Sequence, residues 1–138
     1  MIRFLIIPII LFYAGNIQSQ VEYNSKLSEY NVGNGNSQYE WIDRNIIIYP
    51  GKIVIKSNGK EATDYQTWLI SNIEQSQFNK FSLTLYYTHL QSSIELMENP
   101  SVFTLYKDPE GRVQLIELQF PIITEDSNKF ETHRIHIN

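Results

Sequence analysis

Three histidines and four small groups of carboxylates are the residues of this chain best equipped for acid–base or metal chemistry. The histidines are His89, His133 and His136. Imidazole titrates nearest neutral pH and is a common neutral metal ligand. His133 and His136 are three apart, a spacing that shares one face on a helix and divides between two faces on a strand. A strand is expected over His133–Ile137, with His133, Ile135 and Ile137 on one side and Arg134 and His136 on the other. No shared metal is therefore expected, and His89 could meet either histidine only through the fold.

The carboxylates fall in the groups Glu61/Asp64, Glu95/Glu98, Asp108/Glu110 and Glu125/Asp126. Glycoside hydrolysis needs two carboxyls facing each other across a cleft, and none of these spacings fixes such a pair. Asp108-Pro109-Glu110-Gly111 could offer oxygens to calcium, but it lacks the longer ligand pattern of an EF-hand loop and reads as a turn. No serine stands in a Gly-x-Ser-x-Gly context. Gly33-Asn34-Gly35 is too short to cradle a phosphate and is not followed by a helix signal. No cofactor is implied.

Aromatic residues are the other candidates. Nine Tyr, seven Phe and two Trp are present. Such rings serve core and cross-strand packing in a small β domain, and exposed ones can stack on a sugar or a protein partner. Trp41, Trp68 and Tyr86 are the residues expected on an exposed binding face, with Tyr49, Tyr65 and Tyr106 as possible additions.

These residues need elements to hold them, and the elements read as strands. Ile46-Ile47-Ile48 and Ile53-Val54-Ile55 flank Pro50-Gly51, a type II turn signal with Pro setting φ and Gly permitting positive φ. Ile53 and Ile55 share a face opposite Lys52, Val54 and Lys56. Asn58-Gly59 is a two-residue type I′ hairpin signal, and Tyr65–Ile70 is the returning strand. Ser71–Lys80 is polar and reads as a loop or single helical turn. Phe81–Thr88 alternates cleanly, with Phe81, Leu83, Leu85 and Tyr87 expected in the core and Ser82, Thr84, Tyr86 and Thr88 toward water. Ile94–Met97 is a shorter run read as strand. Val102–Tyr106 and Arg112–Phe120 form a second hairpin around Asp108–Gly111, and Pro121 ends that strand or marks an edge. Thr124–Lys129 reads as a loop.

The expected fold is all-β: a single small domain of seven or eight mostly antiparallel strands, as a meander-like barrel or sandwich. The organisation is a signal peptide over 1–19, a flexible lead-in over 20–38 and the β domain over 39–138. Arg3 opens the first segment, Phe4–Tyr13 is its apolar run, and polar and small residues follow, the layout of a cleaved export signal. The apolar run is too short to span a bilayer as a helix, so no transmembrane span is expected after cleavage. A secreted or periplasmic location follows from that reading.

The chain has no cysteine, so it has no disulfide, thiol chemistry or thiolate metal site to draw on, and packing must stabilise the fold. A formal charge of −4 gives no footprint for nucleic acid or for a basic patch on an anionic membrane. The function expected is a non-catalytic binding module for a protein or small-molecule partner. The alternatives are a structural or assembly component of the cell envelope, or a small hydrolase built from dispersed histidine and carboxylates.

Overall fold

The computed structural model describes residues 20–31, 36–91, 100–124 and 127–138, with side chains outside 122–130. The expected export signal at 1–19, the Gly33-Asn34-Gly35 stretch, the expected Ile94–Met97 strand with Glu95 and Glu98, and Glu125-Asp126 lie outside these residues.

Eight antiparallel strands close into one barrel in sequence order. They are β1 (Val21–Asn31), β2 (Ser37–Ile48), β3 (Lys52–Asn58), β4 (Thr63–Phe78), β5 (Phe81–Leu90), β6 (Ser101–Lys107), β7 (Val113–Thr124) and β8 (Ser127–Ile137). Each strand pairs with the next, and β1 returns to β8 from Ser25↔Ile137 to Asn31↔Thr132. The closed meander is thus the form the chain takes, rather than a sandwich.

The segment 20–38, expected as a flexible lead-in, supplies the closing strand β1. Its polar composition has a structural cause. Ser25 and Ser28 are both buried although three residues apart. A register shift between Ser25 and Leu27 takes up the odd residue, as a bulge does, so Ser28 and Tyr30 continue to face the lumen. This stave presents hydroxyls inward, which hides it from a search for apolar alternation.

Ile46, Ile48, Ile53, Ile55, Trp68, Phe103, Leu105, Ile116, Leu118 and Ile135 form the core. Ile53 and Ile55 point inward as their alternation predicts. On β5 the expected faces are reversed. Thr88 is fully buried and Tyr86 and Leu90 pack on the core, whereas the Tyr87 hydroxyl donates to the exposed Glu74 at 2.9 Å. The Thr88 hydroxyl is affordable inside because it donates to the Ser101 carbonyl at 2.9 Å. Apolar Phe81 lies outside, edge-on to Tyr106. Alternation told the two faces apart without telling which one meets the lumen.

Several turns also differ from expectation. Asn58 pairs with Thr63, so the β3–β4 connection has four residues, closed by Gly59 N–H donating to the Ala62 carbonyl at 2.9 Å. Neither Gly59 nor Gly51 takes a positive φ; Asn79 (53°) and Gly111 (87°) do. Asn79-Lys80 turns a long hairpin, because Ser71–Phe78 is strand and not loop. The pairing of β3 with β4 ends at Lys52↔Leu69, so Ser71–Phe78 has β5 alone beside it, while β5 stays in the wall, paired with β6 from Ser82↔Lys107 to Thr88↔Ser101. With no β3 strand to cover it, Ser71–Phe78 is exposed throughout and carries little apolar pattern. β7 and β8 likewise run through the expected 124–129 loop as far as the Thr124↔Ser127 pair. Pro121 lies beyond the last β6–β7 pair, Val102↔Gln119, where strand β7 continues with β8 alone. The Asp108–Gly111 turn forms as expected, with the Asp108 carboxylate accepting from the Glu110 and Arg112 N–H groups at 2.9 and 3.0 Å.

Candidate functional site

The barrel interior divides along its axis. The end bearing the β2–β3 and β6–β7 turns is filled by the core and covered by Tyr23, Val113 and Ile137. At the end bearing the β3–β4 connection the described residues leave a cavity of about 340 Å³. Its floor is apolar (Ile55, Leu118, Ile135) and its wall polar (Ser28, Ser57, Asp64). A second hollow of about 450 Å³ adjoins it across Asp64 and Gln66, reaching Leu90 and Gln91.

Arg44 organises this half of the lumen. It lies two residues before the inward Ile46, so strand alternation aims it inside. Its side chain is 13% exposed. Nη1 donates to Ser28 Oγ at 2.6 Å, Nε to Ser57 Oγ at 3.2 Å and Nη2 to Tyr30 Oη at 2.7 Å. Among the described residues the one carboxylate in reach is Glu40, which accepts from Nη2 at 3.4 Å and is 45% exposed. Glu40 is more tightly engaged by the Tyr30 hydroxyl, which donates to it at 2.5 Å. That hydrogen bond, aided by Arg44, holds the Glu40 carboxyl below its ordinary range against a smaller opposing effect of burial. Burial, with the bond to Glu40, raises the Tyr30 phenol.

His133 closes one side of the mouth. Its ring stands edge-on to Tyr30 at 4.1 Å and to Phe120 at 4.7 Å between centroids. Burial depresses its pKa, although Glu131, 3.0 Å from Nε2, pulls the other way. His136 points outward to Glu29 at 3.7 Å, so the two histidines do sit on opposite faces. His89 lies opposite the exposed Leu69 on β4. Among the described residues no hydroxyl hydrogen-bonds any histidine, so the His133–Glu131 pair lacks a nucleophile. Ser57-Asn58-Gly59-Lys60 carries a Ser-x-x-Lys spacing that escapes the sequence reading. It spans a strand end and a hairpin loop, Lys60 is exposed, and the Ser57 hydroxyl accepts from Arg44. No group of three His, Asp or Glu among the described residues could hold a metal ion.

The three aromatics expected on one exposed face are dispersed. Trp41 is outside and 78% exposed. Trp68 is a core residue, 6% exposed and edge-on to Phe103 at 5.5 Å, with its indole N–H lacking an acceptor. Tyr86 is half-buried inside, and burial raises its phenol pKa. A strand places consecutive odd and even residues on opposite sides, and the lumen claims Trp68 and Tyr86. Arg44 and His133 were the residues to find, and the signal for them is their spacing by two from the inward Ile46 and Ile135.

The outer wall bears charge at mid-strand. Arg134 Nε donates to Glu117 at 3.1 Å and its Nη1 lies 3.9 Å from Glu29, and Lys52 and Lys56 stand over Tyr49 and Tyr65. Among the described residues no helix is long and apolar enough to cross a membrane.

No protein family, curated protein or solved structure matches the chain.

Proposed function

We propose that this protein is an exported, non-catalytic binding module that takes a small ligand into the open half of its barrel. The observation that carries this reading is the cavity of about 340 Å³ with an apolar floor and a hydroxyl-rich wall around a buried arginine. Ligand sites combine those features: mostly apolar lining with a few placed polar groups that fix orientation. Eight strands give a barrel wide enough to hold one small molecule where side chains leave it unfilled. Export is supported by the layout of the first 19 residues, and the absence of cysteine suits a fold stabilised by packing in any redox compartment.

Native mass spectrometry of the mature protein, recovered after export from a bacterial host, tests the reading. A discrete added mass that disappears on denaturation, with amide shifts at Arg44 and His133 when it is restored, is the expected result. A bare protein whose lumen amides are unmoved by a small-molecule panel would count against it.

The unpaired outer edge of β4 favours a second reading, an envelope assembly component joined by strand addition. Ser71–Phe78 has no β3 strand along that edge, and Ile73 and Phe78 are exposed. Sedimentation of the full chain against an Ile73→Lys variant separates the two: assembly through the edge predicts a larger species that the lysine dissolves.

A further inference from the structure

We infer that the ligand is a small monocarboxylate with an apolar tail, its carboxylate bound by Arg44 and its tail laid on Ile55, Leu118 and Ile135. This rests on the lumen-binding reading and gives it a chemical class.

The argument starts from what Arg44 lacks. A guanidinium taken out of water needs a counter-charge and acceptors for five N–H donors. Here its close acceptors are three neutral hydroxyls, those of Ser28, Ser57 and Tyr30. Among the described residues its one carboxylate is Glu40, 3.4 Å from Nη2, 45% exposed and shared with the Tyr30 hydroxyl. The buried charge is therefore paired only through a carboxylate that is partly in water and divided between two donors, at a point facing a cavity.

The serines sharpen the preference. A hydroxyl that accepts from arginine still carries its own proton to give. Ser28 and Ser57 have no acceptor for theirs among the described residues, and Ser28 is 1% exposed. The wall thus offers several donors and a positive charge together, which calls for an acceptor-rich anionic group. Arg44 already donates to Ser28, Ser57, Tyr30 and Glu40, so an incoming carboxylate draws on its charge, a remaining N–H at Nη1 and the two serine hydroxyls. The floor below is aliphatic, so the remainder of the ligand is apolar. A cavity near the lower end of ligand-pocket size restricts it to a short chain or a single ring.

Other carboxylates face the same mouth: Glu40, Asp64 and Glu131. Asp64 is exposed and so well screened by water. Glu131 is engaged by His133. Glu40 is the real competitor, because it shares Nη2 of Arg44. That competition yields a test that a purely structural arginine would fail.

The full mature chain is titrated at neutral pH with octanoate, 1-octanol and octylammonium, each below its micellar range, and followed by amide NMR shifts. Octanoate is expected to bind roughly tenfold tighter than octanol, the scale of one charge-assisted hydrogen bond. Arg44→Gln should erase that preference and leave octanol binding in place. Glu40→Gln, at an exposed position that keeps an acceptor for Tyr30, should tighten octanoate severalfold without changing octanol. If octylammonium or octanol binds as well as octanoate, or if Glu40→Gln leaves octanoate unchanged, the carboxylate assignment is overturned while lumen binding survives. If none of the three perturbs the lumen amides, both readings fall together.

Discussion

The two halves of the lumen are built by the same eight staves, yet they solve opposite problems. In the filled half, Ile46, Ile53, Phe103 and Ile116 are fully buried and leave no room. In the open half, the same strands carry Ser28, Arg44, Ser57 and His133 around a cavity. A shift of two residues along β2, from Ile46 to Arg44, crosses from one regime to the other. The filled half supplies the hydrophobic stabilisation that a cysteine-free chain requires. That leaves the open half free to hold polar groups whose burial adds little or costs stability.

If the division holds, substitutions should divide in the same way. Phe103→Ala should cost about 3–5 kcal/mol, because it removes a fully buried ring and its edge contact with Trp68. Urea unfolding checks this, and a loss under 1 kcal/mol would show that the filled half is not the stabilising one.

His133→Gln probes the open half through pH. Burial puts the folded pKa of His133 below its ordinary 6.5. As pH falls through 6.5 the unfolded chain takes up the proton first, so stability drops between there and the folded pKa. The wild type should lose more stability than His133→Gln on going from pH 8 to pH 5. Parallel curves would mean that the imidazole is not desolvated. Glu40 acts in a lower window with the opposite origin: its depressed pKa contributes stability above the usual carboxylate range, lost as pH falls through the folded value.

Trp41→Ser should be the smallest change, within about 0.5 kcal/mol of wild type, since the ring is mostly in solvent. A measurable loss of affinity for octanoate in this variant would contradict a lumen site.

The filled half was largely legible in the sequence. Ile53 and Ile55 announce their face by alternating with lysines, and Asp108-Pro109-Glu110-Gly111 announces its turn. The open half was not, and the reason is physical. A lumen lined by Ser28, Tyr30 and Arg44 blurs the inside–outside contrast on which alternation depends, so β1 read as a lead-in. On the core side Tyr86 and Thr88 read as solvent-facing for the same cause, each carrying a hydroxyl inward. Arg44 drew no notice in the sequence because a charge between Ile42 and Ile46 on one strand face has no local explanation. Its explanation is Ser28 and Tyr30, 16 and 14 residues away. The second half of β4 was missed for a related reason: Ser71–Phe78 is exposed throughout, so it has no buried side to advertise.

The β1–β8 seam has a consequence for how the chain reaches this state. Seven of the eight ladders join strands adjacent in sequence and can zip from their own turns. The eighth joins Ser25 to Ile137, nearly the full length of the folded part, and pays the largest loop-closure entropy. Until β8 is available, β1 has one neighbour and the ring stays open. A chain handed across a membrane from its N-terminus would therefore remain an unclosed ribbon until its last strand arrived, a late commitment compatible with threading through an export channel.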